Sequence, residues 1–194
     1  TGHKPEYETL CAFGGLLLHD DLDAILEINE LCNREGIDTI STGGAVAFAI
    51  ECFEKGIITE KMTGGLRLGW GKSKEILRLT EMIINREGIG DTLADGTRAA
   101  AKKIGKGSEQ FAIHAGGQEL PMHDSRLDPV FGITYQVEPT PGRHTIASNM
   151  YAHLYQIKGK FPRVKKMLRT AKGAEMKSMF LTAASMCYAQ IFNG

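Results

Sequence analysis

Apolar residues recur with helical spacing along the first hundred positions of the chain. A first helix is predicted from Asp20 or Asp21 to Gly36, with apolar positions and Asn29 on one face. A second, at about residues 45–55, is apolar nearly all round, which is typical of a buried helix. The pattern predicts two more helices, one from Ser73 to Gly88 and an Ala-rich one over about residues 92–104. A mainly α fold is therefore expected.

The pattern changes after Ser108. Residues 110–114 favour a short strand, and residues 116–142 are rich in the Gly and Pro of turns and loops. Helical spacing returns at about residues 145–155, followed by a basic run and an apolar tail. We therefore predict two multihelical, all-α subdomains, residues 1–108 and 109–194, with a Gly/Pro-rich connecting segment and an incomplete second subdomain.

One pentapeptide occurs twice. Asn-Arg-Glu-Gly-Ile stands at residues 33–37 and again at residues 85–89, each time at the predicted end of a helix. The two copies indicate either an internal repeat or the Gly and charged residues that helix C-termini commonly share.

Composition excludes several classes of protein. The 194 residues are 42% hydrophobic and 24% charged, with 23 basic and 23 acidic side chains. A balanced charge gives no field that would attract nucleic acid, and no apolar run is long enough for a membrane span. The four cysteines lack a CxxC pair, and Cys11, Cys32 and Cys52 are expected to pack as small apolar side chains. These features predict a soluble cytoplasmic protein.

Several short motifs are spread along the chain. The N-terminal motifs are Pro5-Glu6-Tyr7-Glu8-Thr9, Leu31-Cys32-Asn33 and Gly36-Ile37-Asp38-Thr39-Ile40-Ser41-Thr42-Gly43-Gly44. Further motifs are Trp70-Gly71, Gly90-Asp91-Thr92-Leu93-Ala94, Glu119-Leu120-Pro121 and Arg143-His144. Together they resemble, in the same order, the aldehyde:ferredoxin oxidoreductase family of tungsten or molybdenum bis-pterin enzymes. The resemblance covers nearly the whole chain and implies the helical C-terminal domains of such an enzyme.

The resemblance implies two catalytic residues. Glu8 stands where the family places a carboxylate beside the metal, in the role of a general acid or base. His144 stands where the family places a histidine near the substrate, to orient the aldehyde oxygen or stabilise negative charge. By composition alone, Glu8 reads as an exposed acid and His144 as a structural hydrogen-bonding residue.

Cofactor contacts are implied at two copies of the family's pterin motif, Asp-x-x-Gly-Leu followed by Asp or Cys. The first copy has Asn33 in place of the first acid and Ile37 in place of the Leu, but retains Gly36 and Asp38; all four residues occupy cofactor-contacting positions. The second, residues 182–187, retains only the Cys, although Thr182 and Met186 occupy cofactor-contacting positions. Asp124 and Arg126 are either a turn with a local ion pair or further support for the cofactor.

Cys187 matches the isolated fourth ligand of the family's [4Fe-4S] cluster. The family's other three cysteines precede the position of Lys4, and its β-rich pterin domain is also N-terminal. The chain is therefore expected to be a C-terminal fragment that is inactive by itself. Some members of the family hold a subunit-bridging iron with a Glu and a His. Glu27 stands at the position of the Glu, but Leu77 replaces the His, so a bridging iron is not expected. The motifs neither require nor exclude a homodimer.

Three functions are compatible with these motifs. The first is oxidation of small aldehydes, with electrons passed through the cluster to ferredoxin. The second is a related reductase of aromatic acyl-CoA thioesters, and the third is a degenerate, non-catalytic helical interaction domain. The Pro-Glu-Tyr-Glu motif favours aldehyde chemistry, whereas the departures from the pterin motifs favour the interaction domain.

Overall fold

The computed structural model describes residues 4–124 together with residues 140 and 143. The chain packs into two compact units, Thr1–Met122 and His123–Gly194. The first unit continues past Ser108, because the hairpin that follows packs against its helices. The division at residue 108 and the elements predicted beyond residue 124 stay predictions, the latter lying outside the described residues.

Helices dominate the described part of the chain, which confirms the mainly α class. The α-helices are α1 (Tyr7–Leu10), α2 (Leu22–Glu35), α3 (Thr39–Glu54), α4 (Ser73–Ile84), α5 (Ile89–Leu93) and α6 (Thr97–Ile104). A π-helix, Cys11–Gly15, directly follows α1, and a 3₁₀-helix, Ser108–Phe111, follows α6. Strands β1 (His114–Ala115) and β2 (Gln118–Glu119) form an antiparallel hairpin in which His114 pairs with Glu119. Among these described elements, none is a helix long and apolar enough to cross a membrane.

The first predicted helix is confirmed at both ends. The Asp21 side chain accepts a hydrogen bond from the backbone N–H of Ala24 and so caps the N-terminus of α2. Gly36 adopts a left-handed conformation, and the N–H of Ile37 returns to the carbonyl of Cys32 at 2.8 Å. Both ends are set by residues within one turn of the helix, which is why the sequence locates them.

Helix α3 forms the centre of the first unit. Its buried side chains point in nearly every direction, as the sequence predicts, and include Ala45, Val46, Phe48, Ala49, Ile50 and Cys52. It contacts the π-helix, α4, α5, α6 and β2, so almost no face is left to solvent. The helix starts six residues earlier than predicted, at Thr39, because Asp38 caps it through the N–H of Ser41.

Two other helix predictions are wrong in detail. Helix α4 ends at Ile84 rather than Gly88, and Ser73 is its first residue rather than its cap. The helix predicted over residues 92–104 is two short helices, because Gly96 between them has a φ of 86°. The segment predicted as a strand begins as the 3₁₀-helix, and β1 follows it.

The repeated pentapeptide has two different conformations. In the first copy α2 continues through Glu35, and Gly36 takes the left-handed position. In the second copy the helix has already ended, and Arg86 takes the left-handed position with a φ of 53°. The N–H of Glu87 then returns to the carbonyl of Met82 at 2.9 Å. The same letters therefore end their helices in different registers, which favours shared local chemistry over a structural repeat.

Candidate functional site

Glu8 lies where the two ends of the first unit meet. It is in the first turn of α1 and is half-buried. Its Oε2 accepts a hydrogen bond of 2.8 Å from the backbone N–H of Met122, the last residue of the unit. A backbone donor fixes the carboxylate's position without bringing a second charge to it. Glu8 is thus held in place by a contact that links residues 114 positions apart.

Two adjacent glycines of α3, Gly43 and Gly44, allow neighbouring elements to approach this helix closely. A Cβ atom on Gly43 would lie 2.8 Å from the Cβ of Ala12, in the π-helix that follows Glu8. A Cβ on Gly44 would lie 2.9 Å from Cγ of Glu119, in the strand that leads to Met122. Both distances are shorter than side chains tolerate. The Gly-Gly pair therefore lets the π-helix and the side chain of Glu119 approach α3 closely.

Glu119, the last residue of β2, carries a second carboxylate near this site. The sequence alone did not select it. It is 4% exposed, and its Oε1 accepts hydrogen bonds from the backbone N–H of Thr97 at 2.6 Å and from the Thr97 hydroxyl at 2.9 Å. It thereby satisfies donors at the N-terminus of α6, where negative charge is stabilised. The Glu119-Leu120-Pro121 motif was its only signal, since the partner lies 22 residues away.

An apolar cleft of about 370 Å³, hereafter the aromatic cleft, borders this strand. Its lining residues are Leu16, Gly44, Ala47, Phe48, Glu51, Trp70, Gln110, Phe111, Ile113, Glu119, Leu120, Pro121 and Met122. None of these described lining residues is a lysine or an arginine, and Glu119 is already hydrogen-bonded to Thr97. The cleft therefore suits an uncharged, apolar group of small-molecule size.

The first pterin-motif copy borders a different cleft, of about 410 Å³, hereafter the Asp38 cleft. Its lining residues are Ile37, Asp38, Ser41, Thr42, Ala45, Ile83, Ile84, Arg86, Leu93, Ala94 and Gly96. Two of the four predicted residues, Ile37 and Asp38, line it. The other two do not: Asn33 is an exposed residue of α2, and Gly36 serves the helix end.

The Asp38 cleft offers hydrogen-bond acceptors that suit the amino groups of a pterin. Carboxylate and hydroxyl oxygens at Asp38, Ser41 and Thr42 can accept hydrogen bonds from amino groups, and Ile37 supplies apolar contact. Part of this capacity is already used, because Asp38 Oδ2 accepts from the N–H of Ser41 at 2.9 Å. The described residues thus fit one edge of a pterin. The second motif copy, with Thr182 and Met186, lies outside the described residues.

Arg86 closes one side of the Asp38 cleft and is held by two acids. Its guanidinium donates to Asp91 at 3.0 Å and to Asp95 at 2.8 Å. These hydrogen bonds raise the pKa of Arg86, and the bond from Arg86 is the main cause of the lowered pKa of Asp95.

The described cysteines do not fit an iron–sulfur cluster. Burial is the main cause that raises the pKa of Cys32 to about 12 and that of Cys52 to about 11, so both remain neutral thiols. Within residues 4–124 there is no group of three or more side chains that could hold a metal ion. The predicted metal ligand, Cys187, lies outside the described residues.

The remaining predicted site residues fall at or beyond the edge of the described part. Asp124 is exposed and belongs to the second unit. Arg126 and the predicted catalytic His144 lie outside the described residues. Glu27, considered for a bridging iron, is exposed on α2. The structure therefore places Glu8 next to Met122, which lines the aromatic cleft. It places Ile37 and Asp38 together in the lining of the Asp38 cleft.

A buried histidine stabilises the turn behind Glu8 and was also missed. His19 is 5% exposed, with Nδ1 at 3.0 Å from the carbonyl of Phe13 and Nε2 at 2.9 Å from the hydroxyl of Ser73. Because a carbonyl only accepts, Nδ1 carries a proton, and Nε2 shares a second hydrogen bond with the hydroxyl of Ser73. The histidine thus joins the π-helix to the first turn of α4.

Comparisons with known proteins identify structural and sequence relatives of this chain. The structure resembles that of the active site complex BamBC of benzoyl coenzyme A reductase, solved with 1,5 dienoyl-CoA, with a TM-score of 0.64 and 30% identity. The match covers 82% of this chain and 22% of that one. This chain therefore shares its fold with part of that complex.

Sequence relatives identify the family. The tungsten-containing aldehyde ferredoxin oxidoreductase of Pyrococcus furiosus is 37% identical over 141 residues, and that of Thermococcus kodakarensis is 36% identical over 141 residues. A third relative, 34% identical over 157 residues, is the WOR-like subunit of an aliphatic sulfonate oxidoreductase of Pyrococcus furiosus. The matches cover 72%, 72% and 78% of this chain, and the chain spans about a quarter of each relative (23%, 23% and 25%).

Residues 1–191 match the family model for aldehyde ferredoxin oxidoreductase, domains 2 and 3. The chain therefore belongs to the aldehyde ferredoxin oxidoreductase family, as the motifs had indicated.

Proposed function

We propose that the intact protein oxidises small aldehydes to carboxylic acids, with Glu8 as its general base and acid. One observation supports this most directly: the carboxylate of the Pro-Glu-Tyr-Glu motif is half-buried and hydrogen-bonded by Met122 beside an apolar cleft. The relatives that share this part of the chain at 36–37% identity are named aldehyde ferredoxin oxidoreductases.

The reaction assigns a definite task to Glu8. An aldehyde and one water give a carboxylic acid, two protons and two electrons. A general base accepts a proton from the water as its oxygen bonds to the carbonyl carbon, and the N–H of Met122 stabilises the charged form of that base before the step. His144 remains the predicted partner that orients the aldehyde oxygen.

The electrons need a cofactor. A tungsten- or molybdenum-bispterin would accept them, and a [4Fe-4S] cluster would pass them singly to ferredoxin. In this chain, Ile37 and Asp38 would hold one pterin edge, assisted by the hydroxyls of Ser41 and Thr42. Cys187 would supply one ligand of the cluster, and Thr182, Met186, Asp124 and Arg126 remain predicted cofactor contacts.

The aromatic cleft favours an uncharged apolar substrate group. Phe48, Trp70 and Phe111 provide aromatic surface, and the cleft ends at Met122, whose backbone holds Glu8. With no lysine or arginine among its described lining residues, the cleft offers nothing to neutralise a carboxylate or phosphate. Aldehydes with an aliphatic or aromatic side chain are therefore the proposed substrates.

Reduction of an aromatic acyl-CoA thioester is the second candidate. The same three aromatic side chains would suit an aromatic acyl group, and the matched benzoyl coenzyme A reductase structure holds 1,5 dienoyl-CoA. The coenzyme's phosphates would need cationic partners outside the aromatic cleft. Turnover of benzoyl-CoA with a reduced ferredoxin, and none of aldehydes, would select this candidate.

The test compares Glu8→Gln with Glu6→Gln in the intact, cofactor-loaded protein. Glu6 is exposed and precedes α1, so it matches Glu8 in charge and position without sharing its hydrogen bond. Glu8→Gln is expected to lower kcat for benzaldehyde or hexanal by at least about a hundredfold, the usual range for loss of a general base. Glu6→Gln is expected to retain the wild-type rate; equal rates in wild type and Glu8→Gln would contradict the role.

A further inference from the structure

We propose that Glu119 is a positioning residue for Glu8, acting through the backbone N–H of Met122. This inference rests on the proposed function of Glu8. The Oε1 of Glu119 accepts two hydrogen bonds from Thr97, at the start of α6. Glu119 thereby fixes the end of β2, from which the chain continues to Met122.

Two short hydrogen bonds hold the carboxylate of Glu119 in place. Its carboxylate accepts two hydrogen bonds, of 2.6 and 2.9 Å, from a threonine that is only 1% exposed. Hydrogen bonds to a charged acceptor are roughly twice as strong as those between neutral groups. Backbone pairing of Glu119 with His114 fixes the same residue from the other side of the hairpin.

Neighbouring backbone leaves Glu119 little freedom to shift. Its Cγ would be 2.9 Å from a Cβ on Gly44, and its Oε1 would be 3.1 Å from a Cβ on Gly96. The side chain thus occupies space that two glycines leave open, one on α3 and one before α6. This close packing couples the side chain of Glu119 to α3 and to the start of α6.

The link from Glu119 to Met122 is short and stiff. Two residues, Leu120 and Pro121, separate them, and at roughly 3.3 Å per residue the whole segment spans about 10 Å. Proline fixes its own φ and restricts the residue before it to extended conformations. A displacement at Glu119 therefore reaches the N–H of Met122 instead of being absorbed, and this N–H lies 2.8 Å from Glu8 Oε2.

The experiment measures the Met122 amide and catalysis together in the intact protein. Residue-resolved hydrogen–deuterium exchange and steady-state kinetics with hexanal are compared for wild type, Glu119→Ala, Glu119→Gln and the control Glu109→Ala. Glu109 is an exposed acid of the 3₁₀-helix, outside both clefts.

In Glu119→Ala, exchange at Met122 is expected to rise about tenfold, as for loss of one hydrogen bond. The value of kcat is expected to fall by about tenfold to a hundredfold with a smaller change in KM, because a misplaced catalytic group affects the chemical step. Glu119→Gln should recover most of both values, since an amide oxygen still accepts from Thr97. Glu109→Ala should match wild type.

A helix cap alone would give a different result. If Glu119→Ala accelerates exchange only within α6 and leaves the Met122 amide and kcat at wild-type values, the positioning role is wrong. Should Glu119→Ala fail to fold, Thr97→Val removes one of the two donors and is expected to change the same two readouts in the same direction; no change would again overturn the role.

The two proposals fail separately. If wild type oxidises no aldehyde but Met122 exchange depends on Glu119, the proposed function is wrong and the structural link stands. If Glu8→Gln is inactive but Met122 exchange is independent of Glu119, only the positioning role is overturned.

Discussion

The backbone N–H of Met122 donates a 2.8 Å hydrogen bond to Oε2 of Glu8, across 114 positions of the sequence. This contact joins α1 to the segment that follows the β1–β2 hairpin. It also brings the Glu8 carboxylate next to Met122, a residue that lines the aromatic cleft. The site is therefore a product of the fold, and changes at a distance from Glu8 are expected to affect it.

Gly43→Ala is expected to destabilise the unit by about 1–3 kcal/mol, the usual cost of overpacking. The added Cβ would lie 2.8 Å from Cβ of Ala12 and 3.1 Å from its carbonyl oxygen, so the π-helix must move away from α3. Urea denaturation measures the effect. Gly15→Ala is the control, because an added Cβ there meets no atom within 4 Å, and its stability should equal or exceed that of wild type. Equal stability of both variants would contradict the close packing.

Ser73→Ala is expected to lower the free energy of unfolding by about 1–3 kcal/mol. The substitution removes the hydroxyl 2.9 Å from Nε2 of His19, leaving a buried ring nitrogen without that hydrogen bond. Lys74→Ala, an exposed change in the same turn, should have little effect on stability. Thermal unfolding of both variants measures the difference, and equal melting temperatures would show that His19 does not depend on Ser73.

Cys32 and Cys52 are expected to resist iodoacetamide in the native protein at pH 7.5 and to react fully after denaturation. Both are buried, and their raised pKa values, about 12 and 11, leave almost no thiolate. The partly exposed Cys11 is the internal comparison and should be modified first. Peptide mapping measures each site, and rapid native labelling of Cys32 would contradict its burial.

The same thiols give the stability a dependence on alkaline pH. Their unfolded-state pKa is about 9, and the folded-state values are higher. Between these values the unfolded chain ionises while the folded chain keeps its protons, so stability should decrease as pH rises above about 9. Replacing both thiols by Ala should reduce this alkaline slope.

Arg86→Met is expected to weaken the dependence of stability on acid pH. The hydrogen bond from Arg86 is the main cause that lowers the pKa of Asp95 below its ordinary 3.8. That carboxylate therefore stabilises the fold above its unfolded pKa, and the contribution is lost as pH falls through the lower folded value. Denaturation midpoints at pH 7 and pH 3 should differ less in the variant than in wild type. An unchanged difference would mean that the exposed ion pair contributes nothing measurable.

Sequence patterns located the features that depend on neighbouring residues. The start of α2 at Asp21, its end at Gly36 and the buried character of α3 all follow from local spacing and capping. The resemblance selected Glu8 and Asp38. Glu8 accepts a hydrogen bond from Met122, which lines the aromatic cleft, and Asp38 lines the Asp38 cleft.

Features that depend on distant partners were missed. The Ala-rich run around Gly96 reads as one helix, yet Glu119 occupies the space at Gly96 and caps the second half. Likewise, no local signal pairs His19 with Ser73 or Glu8 with Met122, because each partner lies 54 or 114 positions away. Such contacts are chosen by packing, which a single sequence does not display.

We propose that the intact protein holds the metal and the cluster of its family and has kept their chemistry. Metal analysis and an absorption spectrum of the intact protein, purified without oxygen, test this proposal. We expect tungsten or molybdenum together with the four irons of a [4Fe-4S] cluster in each chain, and visible absorption that bleaches on reduction with hexanal. A well-folded, colourless protein without these metals would contradict it and would leave the helical interaction domain as the better account.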